Sequence, residues 1–173
     1  MKQFKLFTLG AMLAFCTFDA SAQVLWRTAN YGMTVSQIEK AFPEAKEPGE
    51  KPGVLGTGAI ELLTIQNISL ADRSFKASFY FKNKKLDQVT LSLTESLPYE
   101  VAIGTFENLA DSLRAKYGKE TSKKNTQGLF EMSEINWMVG KTNINLFLMA
   151  VTKTPATLNI NYQVRTSKEA EKL

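Results

Sequence analysis

A two-residue rhythm, repeated along most of this chain, constrains its fold more than any other feature. Phe75, Ala77, Phe79 and Phe81 alternate with Lys76, Ser78, Tyr80 and Lys82, and Val89, Leu91 and Leu93 alternate with Gln88, Thr90 and Ser92. Ile135, Trp137 and Val139 alternate within the stretch 130–139. Leu158, Ile160, Tyr162 and Val164 alternate with Asn159, Asn161, Gln163 and Arg165. Successive strand side chains point to opposite faces, so each stretch reads as an antiparallel strand with one buried face. In 144–151 both alternating sets are apolar, Ile144, Leu146, Leu148 and Ala150 against Phe147 and Met149, which predicts a central strand. Residues 59–66, apolar and β-branched, add another strand. Asn83-Lys84-Lys85, Gly140-Lys141-Thr142 and Thr152-Lys153-Thr154-Pro155 supply turns, the first closing a hairpin.

Two stretches follow helical spacing instead. Thr34 and Gln37 form a capping-box pair, Met33 and Ile38 stand at the staple positions, and Pro43 stops the helix. From Tyr99 to Tyr117, Ile103, Phe106, Leu109, Ala110 and Leu113 make an apolar stripe, with Gly118 ending it. The segment 47–58, rich in Gly and Pro, reads as a mobile recognition loop. The order is α-β-β-β twice, over residues 23–96 and 97–165, with a charged tail at 166–173. The expected class is α+β: an antiparallel sheet of about six strands with two helices packed on one face, the two units open to reading as a duplication.

The first 22 residues stand outside this pattern. Lys2 and Lys5, an apolar run from Leu6 to Phe18, and Ala20-Ser21-Ala22 make the three regions of a cleavable signal peptide, so the mature chain is expected to start at Gln23 in the periplasm or outside the cell. The run is too short to span a bilayer. Phe15 before Cys16 argues against lipoprotein processing, which needs a small residue there.

No histidine occurs, and Cys16 is the only cysteine. Catalytic triads, thiol chemistry and His/Cys zinc sites are thereby excluded from the mature chain. No metal, cofactor or catalytic residue is expected. Glu107 with Asp111, and Glu131 with Glu134, are the carboxylate pairs that a hydrolase would need, and they read as solvated. A net charge of +4 without a basic stripe argues against nucleic acid and leaves an anionic envelope component as a possible contact. The residues suited to contact a partner are the lysines Lys82, Lys84 and Lys85 at the hairpin turn and the aromatics Trp26, Tyr31 and Tyr80, with a second lysine group at Lys119, Lys123 and Lys124.

The opening Gly32-Met33-Thr34-x-x-Gln37-Ile38, the hairpin from Phe79 to Val89 and the doubled α-β order resemble the BamE/SmpA-like and beta-lactamase-inhibitor-protein group of small exported α+β domains. The chain departs from the first in having two units and a poor lipoprotein site, and from the second in lacking disulfides. The resemblance implies a non-enzymatic, protein-binding role and carries no functional residue onto a position here. The expected function is therefore an exported binding protein acting on another protein as inhibitor, immunity protein or envelope assembly factor, through a sheet face and the 47–58 loop. The alternatives are a carrier of a small apolar or anionic ligand held between helix and sheet, and a carboxylate-dependent envelope hydrolase.

Overall fold

The computed structural model describes residues 23–151 and 155–165. Residues 1–22 of the expected signal peptide, residues 152–154 of the last expected turn and residues 166–173 of the expected tail lie outside the described residues. The order is β1 (Val24–Trp26), β2 (Ala29–Asn30), α1 (Val35–Ala41), β3 (Ile60–Leu70), β4 (Arg73–Lys82), β5 (Lys85–Leu93), α2 (Tyr99–Tyr117), β6 (Ser122–Thr126), β7 (Phe130–Val139), β8 (Thr142–Val151) and β9 (Thr157–Val164). β1 and β2 form a small ladder of their own, and the rest form one antiparallel seven-stranded sheet in the order β3-β4-β5-β9-β8-β7-β6.

The expected α+β class holds, with seven main strands in place of about six. The additional strand is β6, in a stretch that reads as polar loop. Ser-Lys-Lys-Asn-Thr has no apolar alternation because this strand closes the edge and pairs on one side only, with β7. The half after residue 97 thus holds four strands, not three. β8 lies inside the sheet as its two apolar sets predict, although β9 is the middle strand of the seven. β3 runs four residues past the expected end because its register shifts between Ile65 and Ile68, with Asn67 at φ 57°, and that bulge breaks the alternation.

Local chemistry explains the helix and turn boundaries. The Thr34 hydroxyl accepts from Gln37 N–H at 3.3 Å, and Gln37 Oε1 accepts from Thr34 N–H at 2.9 Å, completing the capping box. α2 ends at Gly118, whose φ of 81° suits glycine, and whose N–H donates to Arg114 O at 2.8 Å. Asn83 and Lys84, with φ of 50° and 63°, make the two-residue turn between β4 and β5, so Lys85 already belongs to the strand.

The core is a set of rows crossing strand after strand. Leu63, Phe79, Val89, Tyr162, Ile144 and Trp137 are register partners in turn, and so are Ile65, Ala77, Leu91, Ile160, Leu146 and Ile135. All twelve are buried. Phe42, at the end of α1, lies 5.3 Å from the Phe79 ring, while α2 contacts β7 and β8. Burial pushes the Tyr162 hydroxyl pKa upward, with Tyr117 adding to the rise.

Trp137 joins sheet to helix end, since its buried indole N–H donates to Gly118 O at 3.0 Å. Trp137→Phe is expected to lower stability by about 1–3 kcal/mol through lost volume and an orphaned carbonyl. Urea unfolding followed by circular dichroism checks this; an unchanged midpoint would show that the end of α2 is held by other contacts.

Candidate functional site

The residues between the core rows make the opposite face of the sheet. One row runs across all seven strands: Thr64, Ser78, Thr90, Asn161, Asn145, Asn136 and Ser122. On one side of it lie Glu61, Tyr80, Gln88, Gln163, Asn143 and Met138, and on the other Lys76, Ser92, Asn159, Phe147, Glu134 and Lys124. The seven-residue row contains no apolar side chain, and amides dominate the middle of the face.

These amides are ordered by one another. Thr90 Oγ1 donates to Asn161 Oδ1 at 3.0 Å, and Asn161 Nδ2 donates to Asn145 Oδ1 at 3.0 Å. Asn145 Nδ2 donates to Asn136 Oδ1 at 3.0 Å and to Glu134 Oε1 at 2.8 Å. Asn136 Nδ2 then donates to the same Glu134 oxygen at 3.1 Å and to Ser122 Oγ at 3.2 Å. Donation runs in one sense, from β5 toward β6, and converges on a carboxylate. Chains of this kind polarise and stiffen their members.

A groove of about 790 Å³ opens over this network, lined by Tyr31, Lys82, Asp87, Glu134, Asn143, Gln163 and Arg165 among others. It holds two carboxylates and two cations, so its recognition chemistry is hydrogen bonding without net charge. A second cavity of about 790 Å³ lies at the start of α2, near Tyr99, Phe130 and Val151. Its lining residues Val151 and Pro155 flank the segment outside the described residues.

At the β3 end of the face, the expected mobile loop is pinned. Lys46 and Val54 bridge to Thr64 and Ile60, and Glu61 N–H donates to Gly53 O at 2.8 Å. Glu61, 3% exposed, accepts from Gly53 N–H at 2.9 Å and from Lys76 Nζ at 3.0 Å. Gly53 allows this approach, since a Cβ there would stand 2.8 Å from Tyr80 Oη. Burial works to raise the Glu61 pKa. The Ser78 hydroxyl, the Gly53 N–H and the Lys76 ammonium outweigh it and hold the carboxyl below its ordinary value. Ser78 Oγ is itself buried without a partner in hydrogen-bond geometry, so it acts on the carboxylate as a nearby dipole. Burial and the Glu61 charge push the Tyr80 hydroxyl pKa upward.

The expected contact residues divide accordingly. Tyr80 lies on the polar face as alternation predicts, but its hydroxyl end adjoins the Gly53 loop. Tyr31 and Lys82 line the groove together, and Lys85 joins them in a smaller adjoining cavity. Lys84 is at the exposed turn apex. Trp26 is a correction: it is 7% exposed, stacked on Phe42 at 5.7 Å and tilted against Phe79 at 6.1 Å, with the Arg27 guanidinium 4.4 Å from its ring centre. It is a core residue because the short β1, which carries no readable period, folds it onto the sheet. The carboxylates of the candidate pairs meet other partners or other faces. Glu107 lies 4.0 Å from Lys123, Asp111 pairs with Arg114 at 2.9 Å, and Glu131 and Glu134, three apart on one strand, fall on opposite faces. Among the described residues no group of three or more Asp, Glu, His or Cys is placed to hold a metal ion.

Asn136, Asn143, Asn145, Asn161, Gln163 and Asp87 were not singled out from the sequence. The available signal was that the outward positions of adjacent strands carry Asn and Gln where a merely solvated face carries Lys and Glu. Their convergence depends on which strands are neighbours.

Glu61 generates a pH prediction. A carboxyl with a lowered folded pKa stabilises the fold above the ordinary carboxylate range, and that stability is lost as pH falls through the folded pKa. Glu61→Gln is therefore expected to cost about 1–3 kcal/mol at neutral pH and to flatten the acid limb of stability. Urea midpoints measured from neutral pH downward check it, and an acid limb like that of the wild type would contradict it.

No curated protein and no solved structure matches the chain. A family model described as "Uncharacterised protein" matches residues 26–170, and the chain belongs to that family.

Proposed function

We propose that this chain is an exported, non-enzymatic binding protein that meets another protein on the polar face of its sheet. The observation that carries the reading is the hydrogen-bonded amide row across the sheet, opposite a face whose two central rows are apolar. In this reading both helices cover the apolar face. The Phe42 to Phe79 ring contact for α1 and the Trp137 to Gly118 bond at the end of α2 support that placement, because Phe79 and Trp137 belong to one row. The amide face is then left outward.

A protein partner is favoured over a purely polar ligand by the flank of the same face. Phe147 lies beside Asn159 and Glu134, and Met149 and Met132 are register partners in the next row, all three partly buried. Phe and Met are enriched at protein interfaces, so this flank supplies the apolar part of such a contact beside the ordered amides. The balanced charge of the groove means that the turn lysines need not select an acidic partner. Inhibitor, immunity protein and envelope assembly factor all fit this surface.

The alternatives find less support. A carrier would need room between helix and sheet, where Phe106, Leu109, Ala110 and Leu113 are buried in one core cluster with Ile135, Trp137 and Leu146. A hydrolase would need two free carboxylates facing each other, whereas Glu107 and Asp111 lie beside Lys123 and Arg114, and Glu131 and Glu134 fall on opposite faces. Among the described residues no helix is long and apolar enough to cross a membrane.

The test places photo-crosslinking side chains at Gln163 or Tyr31 on the polar face, and at Asp111 on α2, in the native envelope. The same protein is expected to be captured from both face positions and not from α2. Its purified form should bind with about tenfold or greater weakening by Gln163→Arg at unchanged urea midpoint, and with little dependence on salt. Equal capture from α2, or no saturable partner, overturns the reading.

A further inference from the structure

Gln23 commits its whole carboxamide to one turn. Nε2 donates to Val139 O at 3.1 Å and to Thr142 Oγ1 at 2.8 Å, while Oε1 accepts from Lys141 N–H at 3.2 Å. The Thr142 hydroxyl, on a side chain from a buried residue, donates onward to Val24 O at 2.7 Å. Gly140, at φ +59°, leaves the space: a Cβ there would stand 3.1 Å from Gln23 Oε1. The Gln23 carbonyl also accepts from Tyr31 N–H at 2.8 Å. One amide thus ties the chain before β1 to the β7–β8 turn.

Cleavage between Ala22 and Gln23, the reading on which this inference rests, would free the α-amine of Gln23. An N-terminal glutamine can close on itself. The amine nitrogen attacks Cδ and forms the new C–N bond, the Cδ–Nε2 bond breaks, and Nε2 leaves as ammonia carrying the proton given up by the amine. No oxidant or co-reactant is required. The product is a five-membered lactam without Nε2.

We propose that the β7–β8 turn guards the mature N-terminus against this cyclisation, and that Gln23 is a modification site whose reaction folding slows. The lactam cannot make either of the two Nε2 bonds, and its ring draws Cδ back onto the backbone nitrogen and away from Lys141. Reaction therefore requires the carboxamide to leave the turn first, and the rate scales with the fraction of molecules in which it has done so. Folding preserves the open glutamine, and cyclisation before folding removes the tie.

The full chain, expressed with its own leader and purified from the periplasm, provides the test. Mass measurement of the N-terminal peptide first identifies the starting residue. A start elsewhere than Gln23 removes the cleavage reading and the proposal together. With a Gln23 start, loss of one ammonia is followed in folded protein and in urea. Cyclisation is expected to be at least about tenfold slower in the folded state, the scale set by two hydrogen bonds. It should accelerate in folded Thr142→Val and Gly140→Ala. The wild-type comparison stands alone if either variant fails to fold. In cyclised, refolded protein the Lys141 amide should exchange its hydrogen faster. Equal rates in folded and unfolded chains, or unchanged Lys141 protection, overturn the proposal.

Discussion

The pairing of β5 with β9 is the contact on which the rest of the molecule depends. It joins a three-stranded meander to a four-stranded one, last strand to last strand, with Val89 opposite Tyr162, Thr90 opposite Asn161 and Leu91 opposite Ile160. Every apolar row and every amide row crosses this seam. A slip of one residue would set Asn161 among the core side chains and Ile160 among the amides, because side chains alternate with a period of two. Burial of Val89, Leu91, Ile160 and Tyr162 makes such a slip costly, so the register that fills the core also assembles the polar face.

Much of this architecture is legible in local chemistry. The alternation from Phe75 to Lys82 assigns Tyr80 to the polar face, and Thr34 with Gln37 places the start of α1. The information that is missing concerns long-range and two-sided effects. β6 is polar on both faces and exists because β7 offers an edge. The reach of β3 is hidden by its bulges. The role of Trp26 follows from a strand of three residues that no period can announce. The site was half legible: its residues could be recognised as outward, but Gln88 and Gln163 become neighbours only through the β5–β9 seam, which joins segments far apart in the chain.

Asparagine is a poor strand former, and this sheet places Asn136, Asn145 and Asn161 side by side in its interior strands. The mutual hydrogen bonds offset that disadvantage, and they leave the amides in fixed orientations. A surface ordered in this way loses little side-chain freedom on contact, which is one of the main costs of association. Glu134 ends the ladder with one oxygen taken by two amide donors, so the orientation of its carboxylate is set from within the protein.

The two borders of the sheet are unlike. Along β3, the chain's own residues 46 and 54 form bridges with the outer strand at Thr64 and Ile60, so the first part of that border is already occupied. Along β6, backbone groups meet the solvent beside Lys123 and Lys124. A second molecule attempting to extend the sheet there would bring lysines against lysines, which is how natural sheets discourage edge-to-edge growth. Both borders of the seven strands thus carry some protection, one by self-pairing along part of its length and the other by like charge. A polar, amide-lined face can then be carried on a large sheet without turning it into a template for cross-β assembly.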